Sequence, residues 1–126
     1  MAKVCYTTVG SNDLARAKAF YDALLEPIGM KSLFEHPSGG RLYSGEGTMF
    51  GVLGPYDGEP ATVGNGAMVG FHFNTREEVD AFHANALKLG GTSEGDPGER
   101  GPGLYFAYFR DLDGNKLCFY SVGDEE

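Results

Sequence analysis

Histidine and cysteine are the side chains here best suited to proton transfer, nucleophilic attack or metal binding, and the chain has three of one and two of the other. His36 stands beside Pro37 and His83 falls within a helical pattern, which leaves His72, in a strand-like run, as the candidate general acid/base. Cys118 is a nucleophile if a neighbouring base lowers its pKa, and a small apolar filler on a buried strand otherwise. Cys118 with His72 would make a soft metal pair, but one without a third carboxylate or imidazole. Arg41 and Arg110 could each grip a carboxylate or phosphate bidentately, or pair with one of the eighteen acidic residues.

Several chemistries lack their motifs. No G-x-x-x-x-G-K-[S/T], no G-x-G-x-x-G after a strand and no G-x-S-x-G occurs. Asp111 and Asp113 lack the later ligands of a calcium loop and read as turn residues. The Gly-rich stretch from Gly90 to Gly103 is either a mobile flap at the mouth of a site or an ordinary irregular connection.

Composition narrows the class. With 126 residues, 41% apolar and 22% charged, the chain suits one globular domain. Ten basic against eighteen acidic residues leave a net charge of −8, which repels phosphate backbones and argues against nucleic-acid binding. No apolar run reaches the roughly 20 residues that cross a bilayer, and the first residues do not read as a signal peptide. Two cysteines do not form a disulfide framework, so a cytoplasmic protein with free thiols is expected. Seven Tyr and nine Phe with no Trp supply rings that fill a core or line a small-molecule pocket.

The elements that position these residues come in two copies. A shift of 62 residues places Asn12 on Asn74, Ala19 on Ala81, Phe20 on Phe82, Leu25 on Leu87 and Gly29 on Gly91. The first helix is expected from about Leu14 to Leu25, after the capping candidates Ser11, Asn12 and Asp13 and before Pro27 and Gly29. Its apolar stripe is Leu14, Ala17, Phe20, Tyr21, Leu24, Leu25 and Ile28. The second begins at Thr75, with Glu78 at capping-box spacing, and its stripe reads Val79, Phe82, Ala86, Leu87 and Leu89. Strand character marks residues 4–9, 30–36, 41–44, 48–53, 67–73, 104–110 and 116–122, with a weak segment near Thr92. Asp113-Gly114-Asn115 is a hairpin turn signal between the last two. The result is β-α-β-β-β twice, an α+β domain. Module 1 covers about 1–54, a Gly- and Pro-rich linker 55–66, module 2 about 67–122, and an acidic tail 123–126. One helix and a few strands are little with which to close a core, so the halves are expected to pack together or to exchange between chains.

This organisation resembles the vicinal oxygen chelate superfamily of glyoxalase I, bleomycin-resistance proteins and extradiol dioxygenases. Asn12-Asp-Leu-Ala-Arg-Ala-Lys-Ala-Phe-Tyr21 is similar to the family's D-L-x-x-[A/S]-x-x-F-Y helix opening. Phe109-Arg-Asp-Leu-Asp-Gly-Asn-Lys116 is similar to F-x-D-P-D-G-N, with Leu112 at the usual proline. The likeness runs from about Lys3 to Val122, and the D-G-N-K-L-C reading of residues 113–118 matches a subgroup of small bacterial members. It implies half-barrel sheets around a cavity, and a homodimer.

The metal enzymes of the superfamily carry ligands at positions that the resemblance aligns with Tyr6, Met68 and Cys118. Phenol, thioether and thiol are a poor set for the divalent ion that chelates an enediolate or catecholate, so no metal and no other cofactor is expected. The same alignment turns Tyr6, Met68, His72, Phe106, Tyr108, Cys118 and Tyr120 inward as a ligand-binding lining, with Phe109 against a helix and Cys5 on the opposite parity. The expected function is metal-free binding of a small organic molecule, by sequestration or carriage. The alternative is a lyase, isomerase or dioxygenase similar to lactoylglutathione lyase, working through His72 or a metal site that the alignment misses. The partner expected is an unidentified small molecule, with no nucleic acid and no membrane.

Overall fold

Each helix starts where a side chain satisfies the backbone N–H groups that the first turn leaves exposed. In the computed structural model, which describes residues 1–123, α1 runs Leu14–Leu25 and the Asp13 carboxylate accepts from the Arg16 N–H at 3.1 Å. The acidic tail beyond Gly123 lies outside the described residues. Helix α2 runs Arg76–Lys88 behind a complete capping box. The Glu78 N–H donates to the Thr75 hydroxyl at 3.1 Å, and the Thr75 N–H donates to the Glu78 carboxylate at 3.2 Å. Such caps contribute about 1 kcal/mol each.

The strands form two sheets of one plan. Strands β1 (Tyr6–Gly10), β2 (Lys31–Glu35), β3 (Arg41–Gly45) and β4 (Thr48–Leu53) lie in the order β1-β4-β3-β2. Strands β5 (Val69–His72), β6 (Thr92–Glu99), β7 (Leu104–Arg110) and β8 (Lys116–Val122) lie in the order β5-β8-β7-β6. In each sheet the strand before the helix pairs in parallel with the last strand, and the other pairs are antiparallel. The chain is therefore α+β with two βαβββ modules, as the repeat predicts. It divides into two compact units, one of Met1–Val63 and one starting at Gly64. The 62-residue shift relates the first residues of α1 and α2, Leu14 and Arg76. It fails at the last strand: β4 begins at Thr48 and β8 at Lys116, because β6 and β7 are longer than β2 and β3.

In the first unit α1 buries Ala17, Phe20, Tyr21, Leu24 and Leu25, and Tyr21 meets Phe50 of β4 with ring centres 5.1 Å apart. In the second, α2 lies over Phe73, Phe109, Leu117 and Phe119, all buried. Its stripe is rotated from the expected one. Val79, His83 and Ala86 are buried, whereas Phe82 is half-buried and stacks on Phe73 at 5.2 Å. An imidazole is tolerated there because His83 Nε2 hydrogen-bonds the Tyr108 carbonyl oxygen at 3.0 Å.

The Gly-rich stretch is neither flap nor irregular connection: residues 92–99 are strand β6, paired to β7 through two register shifts, at 93–95 and 95–98. Those bulges and the edge position explain how a strand carries Pro97, since an edge strand has one side free of ladder bonds. At the β7–β8 turn the buried Asp111 carboxylate accepts from the N–H groups of Asp113 and Asn115, each at 2.9 Å, so Asp111 and Asp113 are the turn residues expected.

Candidate functional site

Side chains alternate across a strand, so the residues that pack under α2 fix which ones face the other way. With Ala107, Phe109, Leu117 and Phe119 buried on the helix side, Phe106, Tyr108, Cys118 and Tyr120 share the face away from α2. Strand pairing sets them in two rungs. His72 pairs with Tyr120 and Tyr120 with Phe106, while Gly70 pairs with Cys118 and Cys118 with Tyr108.

A run of rings crosses both rungs. His72 meets Tyr120 edge-on at 5.3 Å, Tyr120 stacks on Phe106 at 4.9 Å with 11° between planes, and Phe106 stacks on Tyr108 at 6.0 Å and 21°. Near-parallel rings on adjacent strands present a flat, polarisable surface with phenol groups at two positions. Five of the expected lining residues are thus brought together: His72, Phe106, Tyr108, Cys118 and Tyr120. Met68 lies just before β5 and is about half exposed. Tyr6, also about half exposed, belongs to β1 of the first unit.

Glycines shape this face. Gly95 and Gly98 of β6 stand opposite Tyr108 and Phe106, and a Cβ on Gly95 would come within 2.9 Å of the Tyr108 ring. The space they leave holds Arg100, whose Nη2 donates to the Asp96 carbonyl oxygen at 2.7 Å. Its guanidinium carbon lies 5.4 Å from the centre of the Tyr108 ring, and the Lys116 ammonium nitrogen lies 5.1 Å from the same centre. Both are within cation–π range.

Of the two roles open to Arg41 and Arg110, both side chains take the pairing with acidic residues. Arg41 is occupied by Glu35, at 2.8 and 3.2 Å, and by Asp22. Arg110 is held by Glu94 at 3.0 Å and donates to the Gly114 carbonyl oxygen at 3.1 Å. Arg100 was hidden in a Gly-rich stretch whose path no side-chain pattern reveals. Lys116 was in view, because it shares the parity of Cys118 and Tyr120, and that alternation was the signal to follow.

Cys118 is 1% exposed, and burial pushes its thiol up to about 11, against a smaller opposing effect of Lys116. At neutral pH it is a protonated thiol, poor as a nucleophile or soft ligand. Cys5 and Cys118 are both free. No hydrogen bond from a described residue orients the His72 ring, whereas His36 Nδ1 is bonded to the Ser38 hydroxyl at 2.9 Å.

A divalent ion needs imidazole and carboxylate donors gathered at one point. Among the described residues no group of three His, Cys, Asp or Glu side chains is placed to hold one. The phenol of Tyr6, the thioether of Met68 and the protonated thiol of Cys118 do not fit such an ion. Nor is any helix among the described residues long and apolar enough to cross a membrane.

The family model described as the Glyoxalase/Bleomycin resistance protein/Dioxygenase superfamily matches residues 3–119. A crystal structure of a glyoxalase/bleomycin resistance protein from Albidiferax ferrireducens superimposes with a TM-score of 0.88 at 41% identity, over 97% of this chain and all of that one. A lactoylglutathione lyase from Agrobacterium tumefaciens gives 0.74 at 20% identity, over 96% and 94% of the two chains. The fosfomycin resistance protein FosX from Listeria monocytogenes, solved with Mn(II) and sulfate, gives 0.74 at 16%, over 98% and 92%. At those identities the last two are likenesses of fold alone. No curated protein matches the chain.

Proposed function

The chain belongs to the glyoxalase/bleomycin resistance protein/dioxygenase superfamily, and on that premise we propose that it binds a planar aromatic small molecule without a metal centre. The observation that carries this reading is the run of His72, Tyr120, Phe106 and Tyr108 on the face of the second sheet that α2 does not cover. A flat ligand extends such a run by stacking, and the Tyr108 and Tyr120 hydroxyls orient it. Sequestration or carriage fits this face better than turnover. The His72 imidazole has no hydrogen-bonded partner among the described residues to set its tautomer, and the nearby thiol is protonated. The protein acts in the cytoplasm as a homodimer, and takes neither nucleic acid nor a membrane surface as partner.

Calorimetric titration with a neutral planar probe, 2-naphthamide, tests the reading. Saturable binding near one equivalent per chain is expected, weakened about five- to tenfold in Tyr120→Ala, because one stacking partner of about 1–1.5 kcal/mol is gone. Affinity unchanged in Tyr120→Ala and Phe106→Ala would exclude this face. One equivalent of tightly held metal in protein purified without chelator would overturn the metal-free reading.

A further inference from the structure

Two cations lie close to one ring of this face, and neither has a carboxylate partner among the described residues. Arg100 and Lys116 both approach Tyr108, at 5.4 and 5.1 Å from the ring centre, in a chain whose acids outnumber its bases eighteen to ten. The other arginines differ: Arg16, Arg41, Arg76 and Arg110 each pair with an acid. The position of Arg100 is also built rather than incidental. A Cβ on Gly98 would come within 2.8 Å of its Nη1 and one on Gly95 within 3.2 Å of its Nη2, so two side-chain-free residues of β6 make room for the guanidinium. Backbone carbonyl oxygens take only part of its donor set, through Asp96.

We propose that the ligand of this face is an aromatic carboxylate, its ring extending the Tyr120–Phe106–Tyr108 run and its anionic group drawn to Arg100 and Lys116. The inference rests on the aromatic-face reading and adds the charge of the ligand. A guanidinium presents parallel donors that match a carboxylate, and a nearby ammonium attracts the same charge. A neutral ring gains the stacking alone. A cationic ring meets two like charges.

The experiment compares 2-naphthoate, 2-naphthamide and 2-naphthylmethylamine by calorimetry at pH 7.5 and low salt, so that ring area is constant and charge varies. Naphthoate is expected to bind at least tenfold tighter than naphthamide, with the ratio shrinking as salt rises. Arg100→Gln and Lys116→Met should each bring that ratio towards one, with folding monitored by circular dichroism. Equal affinity for naphthoate and naphthamide, or tighter binding of the amine, would overturn the carboxylate assignment and leave the ring-binding reading standing. A preference for naphthoate that survives the double variant would place the anion site elsewhere and also overturns it. Binding of none of the three sinks both readings. If light scattering then shows that the double variant alters self-association, the face belongs to a second copy of the chain.

Discussion

Gly70 pairs directly with Cys118 across the parallel β5–β8 ladder, and a Cβ on Gly70 would stand 3.1 Å from the Cys118 sulfur and 3.3 Å from the Tyr120 ring. The small residue thus sets how closely thiol and ring approach β5. Gly70→Ala should push the Tyr120 ring by a few tenths of an ångström and cost about 1–2 kcal/mol, as mild overpacking does. Chemical denaturation reads the cost, and naphthamide titration reads the loosened ring. Wild-type values in both would show that the contact yields freely.

Burial of Cys118 makes a thiol-reactivity prediction. Cys118 is 1% exposed whereas Cys5 is half-buried, so Ellman's reagent at pH 8 should find one fast thiol and one protected until unfolding. Cys5→Ser should abolish the fast phase. The folded thiol titrates near 11, above its ordinary value of 9.0, so folding favours the neutral form. That contribution is complete below the ordinary thiol value and disappears as pH rises towards 11. Cys118→Ala should therefore flatten the alkaline limb of the stability profile. Two equally fast thiols in the native protein would contradict this placement.

The helices were legible because their apolar period and caps are local signals: Asp13 and Thr75–Glu78 sit where the helices begin. The α2 stripe slipped because apolar periodicity prefers Phe82 to His83. Only the Tyr108 carbonyl oxygen, 25 residues away, explains why the imidazole goes inside. Strand β6 shows in the sequence only as a weak segment near Thr92, because its glycines and Pro97 carry no alternation and register shifts leave no mark in composition. Without the extent and register of β6, Arg100 has no place in the sequence pattern. The shared parity of the ring residues on β7 and β8 is legible, as these strands are regular and joined by a strong turn signal, whereas the side they face comes from the family resemblance. The ion pairs of Arg41 and Arg110 depend on tertiary neighbours, and eighteen acids offer too many candidates.

The β7–β8 turn hangs on a single buried carboxylate. Asp111 accepts the Asp113 and Asn115 N–H groups at 2.9 Å and the Asn115 side-chain amide at 3.0 Å. Asp111→Ala strands those donors near the core and should cost about 2–3 kcal/mol by urea denaturation. Asp111→Asn keeps one acceptor oxygen and should lose less. The turn also sets the approach of Lys116, so Asp111→Ala should weaken naphthoate binding more than naphthamide binding. An Ala variant as stable as the Asn variant would show that the turn forms without the carboxylate.

The first unit carries a charge cluster that should be visible in acid. Arg41 grips Glu35 with two donors and Lys18 reaches the same carboxylate at 3.2 Å; these hydrogen bonds hold Glu35 near 2, below its ordinary 4.5. Asp22 takes the third arm of Arg41 and accepts from the Tyr43 hydroxyl at 2.7 Å, and burial with that carboxylate pushes the phenol above its usual range. Because the folded value of Glu35 lies below the unfolded one, its stabilising contribution is complete above about 4.5 and lost as pH falls to about 2. The carboxylate is more than half exposed, so solvent screens the pair and the contribution is small. Carbon-detected NMR of the Glu35 carboxyl should give a midpoint near 2 in the wild type, moving towards 4.5 in Arg41→Gln. Arg41→Lys should fall between, since one ammonium cannot supply the paired donors of a guanidinium. Glu35→Gln should flatten the stability profile between pH 5 and 2 and leave it unchanged at neutral pH to within a small offset. A Glu35 midpoint at its ordinary value in the wild type would mean that the bidentate grip is not maintained in solution.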